Sequence, residues 1–157
     1  MRRTDKEVRD QGWIDAVLTK ALFCHLAING DEYPCLVPMN FVWHEGRLIL
    51  HSAPDGEKIR SLRKNPRVTF AVETDPELVT HTTACGYGMR YRSVIGQGTA
   101  RFVEEYEEKN NLLKVLSKKY TSCKVDDFQL DKLAHVILFI ITPTSLTGKN
   151  SGYPLER

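Results

Sequence analysis

At the end of one strand-like run stand His51 and Ser52, followed by a Pro-Asp-Gly turn and a short basic stretch carrying Lys58, Arg60, Arg63 and Lys64. Imidazole, hydroxyl, helix-terminal N–H groups and ammonium converge where the chain leaves a strand. That combination suits a phosphate. A lysine brings a point charge to a dianion without demanding fixed geometry, and a short hydroxyl donates at close approach. The junction therefore predicts an anionic cofactor held by His51, Ser52 and Lys58. A second group lies upstream, where Val37, Pro38, Met39 and Asn40 sit in the strand-like run PCLVPMNFVW. Proline cannot donate to a ladder, so a flat ligand lying against that strand would explain its use there. Neither GxGxxG nor GxxxxGKS/T occurs, which leaves no support for a Rossmann or P-loop nucleotide site.

The elements that must position these groups follow from hydrophobic period and turn chemistry. A first helix, capped by Thr4 or Asp5, is predicted to about residue 20. Residues 21–28 read as a strand closed by Asn29-Gly30-Asp31, 34–43 as a second, and 47–52 as a third after His44-Glu45-Gly46. The basic helix spans about 56–63 and ends before Asn65-Pro66. Residues 67–73 form a fourth strand, and 74–90 read as a long polar loop with one turn of helix. A long strand covers 91–104, where Gly96 and Gly98 mark a bulge or a close backbone approach. Residues 105–120 open on acids, carry Leu112, Leu113, Val115 and Leu116, and end on Lys118-Lys119, which predicts a helix. VILFIIT, 136–142, is apolar throughout and reads as a strand buried on both faces. Six strands joined mainly by hairpins predict a mainly β, α+β domain: an antiparallel barrel with peripheral helices.

A chain of 157 residues fits one domain, 1–157, with a single sizeable core. Its 22 basic and 20 acidic residues leave a net charge of +2, too balanced for a polyanion track, so no nucleic-acid partner is expected. The charged start lacks an apolar signal core, and the longest apolar run is far too short to span a bilayer. Cys24, Cys35, Cys85 and Cys123 show no CxxC spacing, and the histidines show no metal-ligand spacing. A cytoplasmic protein with reduced thiols and no metal is the expectation.

In their order and spacing, CLVPMNFVW, LILHSAPDGEKIRSLRKNPRVTF, RSVIGQGTARFVE and a tail strand ending PTSLTGK resemble the pyridoxamine-phosphate-oxidase-like FMN-binding split barrels. Among those, the likeness is to the NimA-related group, the 5-nitroimidazole resistance proteins, over about residues 13–152. The resemblance implies a six-stranded split barrel and a homodimer with FMN at the subunit interface. It implies Val37, Pro38, Met39 and Asn40 beside the isoalloxazine, with His51, Ser52 and Lys58 on the ribityl phosphate. It also implies Arg92 and Ser93 reaching the flavin from the partner subunit. Lys149 and Tyr153 stand in the tail, where the oxidases carry a substrate-binding Trp and Arg. The oxidases' Arg-Lys pair at the helix start reads Glu57-Lys58 here, keeping only the lysine. Both departures argue against pyridoxamine-phosphate oxidation. The implied activity is FMN-dependent reduction of small flat electron acceptors such as nitroaromatics, with no residue assigned as catalytic. Two other readings stay open. One is a haem or deazaflavin carrier on the same barrel, with His51 or His81 as axial ligand. The other is a small-barrel RNA-binding or interaction module, which needs a basic face with stacking aromatics.

Overall fold

Alternating inward and outward residues allow the strands to close into a barrel with a filled interior. The computed structural model describes residues 3–154. Its elements are β1 (Glu7–Val8), α1 (Gln11–Lys20), β2 (Phe23–Ile28), β3 (Cys35–His44), β4 (Arg47–Ser52), α2 (Glu57–Lys64) and β5 (Arg67–Val79), followed by β6 (Gly88–Val103), α3 (Tyr106–Lys118), α4 (Leu130–Ala134) and β7 (Ile137–Ser151). Every pairing is antiparallel. The order β7-β4-β3-β2-β5-β6 closes through β6–β7 into the expected six-stranded barrel, and β1 adds a seventh strand along the end of β7.

Two cores explain the apolar run in β7. Phe139 and Ile141 point into the barrel with Phe41, Leu50 and Phe70, while α1 adds Ile14, Val17 and Leu18 and α2 adds Leu62. Leu138 and Ile140 point outward to Ile49, Val103, Leu113, Leu116 and Leu133, beneath α3 and α4. With both faces covered, every position from Leu138 to Ile141 is buried.

Two expectations need correction, and two further features extend the sequence reading. The first helix does not start at Thr4 or Asp5: a 3-10 turn and β1 come first, and Asp10 caps α1 by accepting from the Trp13 amide at 2.7 Å. The predicted loop at 74–90 is largely a hairpin. There β5 continues to Val79 and pairs with the start of β6 across a register shift at Asp75-Pro76, where Asp75 takes φ 57°. Proline and the left-handed residue break the ladder locally without ending the strand. The tail is one strand with the apolar run, because Pro143 falls at a register shift opposite Gly98. Last, α4 lies in a polar segment that carried no helical period.

The end of α3 is fastened to the barrel. Lys119 Nζ donates to the Ala21 carbonyl and sits 4.0 Å from the centre of the Phe41 ring. Tyr120 Oη donates to Leu22 O at 2.6 Å and accepts from Phe41 N at 2.9 Å. Burial pushes Lys119 down to about 8 and the Cys24 thiol up to about 12. These shifts act oppositely on stability. Above about pH 8 the unfolded chain keeps a lysine proton that the folded chain has lost, so this group makes stability rise with pH up to the ordinary lysine value. From the ordinary thiol value upward, unfolded Cys24 ionises while folded Cys24 stays protonated, so that group makes stability fall. Urea titrations across about pH 8–10 should show a steeper decline for Lys119→Met than for the wild type. Cys24→Ala should show a shallower decline or a rise.

Candidate functional site

The barrel is split along β3. Residues 35–40 pair only with β2, and pairing with β4 starts at Phe41↔Leu50. One register step past that pair stand Asn40 and His51. The edge of β3 from Cys35 to Asn40 therefore has no strand beside it, and Pro38 sits in the middle of that edge, where proline is tolerated. Alternation sets the faces. Cys35, Val37 and Met39 pack on the inner core, while Leu36, Pro38 and Asn40 face outward.

At the end of β4 the same alternation separates the predicted pair. Ser52 shares its face with Leu48 and Leu50, whereas His51 shares the outer face of Ile49. Gly56, at φ 123°, then turns the chain into α2, a conformation that side chains rarely adopt. Among the described residues no side chain caps this helix, and the Gly56 amide itself is taken by Asp55 Oδ1 at 2.6 Å. The amides of the first turn are thus left for another acceptor.

Of the four predicted cations, three are engaged. Arg60 pairs with Asp55 at 3.2 Å, Lys64 pairs with Asp31 at 2.7 Å, and the Arg63 guanidinium lies 5.0 Å from the Phe102 ring centre. Lys58 differs: among the described residues no carboxylate pairs with it, and burial holds its pKa below the ordinary lysine value, an effect partly offset by Cys35. His51 is lowered as well, first by burial and then by the Lys58 charge. At neutral pH the imidazole is uncharged beside a half-buried ammonium without a counter-ion. Such a charge is costly until an anion joins it.

The remaining predicted residues lie elsewhere on the barrel. Ser93 pairs across the ladder with Lys149, and both sit on the outer sheet face, with Lys149 Nζ bonded to Tyr91 Oη. This position is three strands from β3, roughly 14 Å at ordinary strand spacing. Arg92 points to the other face of β6, where Asp75 Oδ2 holds it at 2.8 Å and its guanidinium lies 4.5 Å from the Tyr153 ring centre. Within one chain, then, residues 37–40, His51, Ser52 and Lys58 come together, and Arg92, Ser93 and Lys149 do not join them. His81 is exposed and bonded to Thr83.

Sequence reasoning passed over one feature. A cleft of about 520 Å³ opens between α3, α4 and the split, lined by Asn40 and His51 together with Leu116, Phe128, Leu133 and Val136. The only signal was the scatter of apolar residues through the polar segment 121–136. Among the described residues no three His, Cys, Asp or Glu side chains converge as metal ligands, and no helix is long and apolar enough to cross a membrane.

A closed antiparallel barrel with one strand edge left bare beside an uncapped helix and an unpaired lysine defines a split-barrel protein. The chain matches the family described as Pyridoxamine 5'-phosphate oxidase over residues 10–150, and it belongs to that family. Among solved structures it is similar to a candidate 5-nitroimidazole antibiotic resistance protein from Bacteroides thetaiotaomicron VPI-5482. That pair shares 30% identity over 91% of this chain and 85% of the other, with a TM-score of 0.82. The flavocytochrome Anf3 from Azotobacter vinelandii shares the fold at 17% identity, covering all of this chain and 75% of its own, with a TM-score of 0.86. A FAD-binding protein from Mesorhizobium loti does so at 22% identity over 94% and 98%, with a TM-score of 0.70. Comparison with curated proteins gives no match.

Proposed function

We propose that this chain is a cytoplasmic flavoprotein that holds FMN along the open edge of β3 and passes electrons to small flat acceptors, nitroaromatics among them. The observation that carries the reading is Lys58: an ammonium without a carboxylate partner, beside His51 and an uncapped helix start, at the foot of an unpaired strand edge. A phosphate supplies the missing counter-charge, and the bare backbone groups of β3 can take the polar rim of a flat ring system. Bound flavin supplies the redox chemistry. The chain's own residues bind it: Lys58, Ser52 and the first amides of α2 take the phosphate, and residues 37–40 orient the ring. Family membership and the likeness to a candidate nitroimidazole resistance protein support the acceptor class.

The functional unit in this reading is a homodimer. Pro38, His25, Ala71 and Ile95 form one cross-strand row on the outer sheet face, with Leu36 and Phe23 beside it. Among the described residues no helix covers this face: Phe23, Leu36 and Ile95 are 51%, 64% and 50% exposed. A sheet face with this much exposed apolar surface, interrupted by His25 and its neighbour Glu73, marks an interaction site. Ser93 and Lys149 lie on the same face, so a second copy seated there brings its own pair toward the edge of β3. Light scattering should return twice 17.9 kDa for the wild type and a single 17.9 kDa chain for a Leu36→Asp, Ile95→Asp double variant.

The test of the cofactor is a spectrum of the purified protein, followed by FMN titration. Flavin absorbance eluting with the protein at one per subunit supports the reading. No FMN binding at micromolar concentration overturns it, and a Soret band or a deazaflavin spectrum in its place assigns the barrel to a different ligand.

A further inference from the structure

The cleft beneath α3 and α4 has a composition that specifies a ligand of its own. Its floor is the outer core: Leu113, Leu116 and Leu133 are 6%, 3% and 3% exposed. Three of its lining side chains are rings, namely His51, Tyr120 and Phe128. Its polar groups are donors or neutral, and Lys132 is the cation among them. Among the described residues no carboxylate lines it. The nearby acids Asp127 and Asp126 are already paired with Lys114 and Lys124, and Asp131, next to Lys132 in the chain, is not among the lining residues. Its volume of about 520 Å³ lies within the range of small-molecule sites, which are mostly apolar with a few placed polar groups.

We propose that this cleft binds an aromatic carboxylic acid, its ring among Leu116, Phe128 and Leu133 and its carboxylate toward Lys132. The site goes beyond flavin binding, because none of those four residues belongs to the phosphate or ring contacts named above. It adjoins them through Asn40 and His51, which line the cleft at the split of the barrel. A carboxylate satisfies Lys132 without facing a like charge, and a flat ring meets apolar wall rather than water. A cationic arene of the same size meets Lys132 with no acid to hold it.

Protein-detected NMR with three probes tests the assignment on the full chain: 1-naphthoate, naphthalene-1-methanol and 1-naphthylmethylammonium. Saturable shifts at residues 113–121 and 128–136, with naphthoate binding at least tenfold tighter than the ammonium probe, support it. Lys132→Glu, an exposed substitution on a short helix, should then weaken naphthoate tenfold or more and narrow the gap between the probes. Equal affinities for all three probes, shifts confined to other regions, or unchanged naphthoate binding in Lys132→Glu overturn it. FMN titration of the same samples is read separately. FMN binding without naphthoate binding overturns the cleft alone, whereas naphthoate binding without FMN leaves the cleft standing and removes the flavin reading.

Discussion

Replacing Lys58 with alanine should raise the dissociation constant for FMN about ten- to a hundredfold while leaving the melting temperature of the ligand-free protein unchanged or slightly raised. A hydrogen bond to a charged group contributes about 1.5–3 kcal/mol, which is that range of affinity. The ligand-free protein does not depend on the ammonium, because among the described residues no carboxylate pairs with Lys58 and burial already disfavours its charge. Removing a half-buried charge of that kind relieves desolvation. Lys58→Arg should recover part of the affinity, since it keeps the charge with a different shape. Arg60→Ala and Lys64→Ala are the informative comparisons, because their charges are already matched by Asp55 and Asp31. Each should change FMN affinity less than threefold. Fluorescence quenching titrations of the four variants measure this directly. A Lys58→Ala protein that binds FMN as the wild type does would remove the phosphate role.

A large stability effect is expected at Gly98. A Cβ there would lie 2.5 Å from the Thr142 carbonyl oxygen and 3.1 Å from the Pro143 Cα, both of them backbone atoms of the neighbouring strand. The approach is close because the β6–β7 register shifts between Gln97 and Gly98, opposite a proline that cannot donate. Thr144 Oγ1 restores part of the pairing by donating to Gln97 O at 3.2 Å. The Ile141 methyl at 3.0 Å can shift, but the two backbone atoms cannot, so β6 and β7 must separate where they close the barrel. Gly98→Ala should cost about 2–3 kcal/mol, within the range for overpacking, and lower the melting temperature by roughly 4–12 °C. Gly98→Val should cost more. Gly88→Ala is the control: it has open space around it and should stay within about 0.5 kcal/mol of the wild type. A calorimetric scan of the three variants distinguishes a local steric cause from a general loss of glycine.

The pattern that made Gly98 legible in the sequence is the one that made the fold legible. Glycines two apart inside a β-branched run already marked bulge or close approach, and the structure shows both: Gly96 lies over the Phe70 ring and Gly98 lies at the bulge. The strand at 47–52 was readable to the residue, because His44-Glu45-Gly46 and Pro54-Asp55-Gly56 bound it with turn chemistry. The hairpin arm at 74–90 was not. Pro76 and Asp75 signal a break locally, yet cross-strand pairing from Glu77 to Arg90 carries the strand through it. The segment around α4 hid for a related reason: its few apolar residues have no period, and only the outer core beneath them gives them a place.

By itself, the sequence determined the barrel's strand order in outline, the position of the basic helix, and the residues able to meet a phosphate. Those are local matters of period, turn residues and side-chain chemistry. Only the tertiary structure decided which cation is available, because Arg63 and Lys64 find partners in distant segments, Phe102 and Asp31, that no spacing announces, while Arg60 pairs locally with Asp55 and Lys58 with no carboxylate among the described residues. Alternation by itself puts Arg92 and Ser93 on opposite sides of β6, but only the tertiary structure decided that Asp75 holds the first and that the second is buried on the outer face opposite Lys149. A strand's alternation is readable one residue at a time. Which face becomes core, which becomes surface and which charge is left unmatched depends on neighbours brought in from the whole chain.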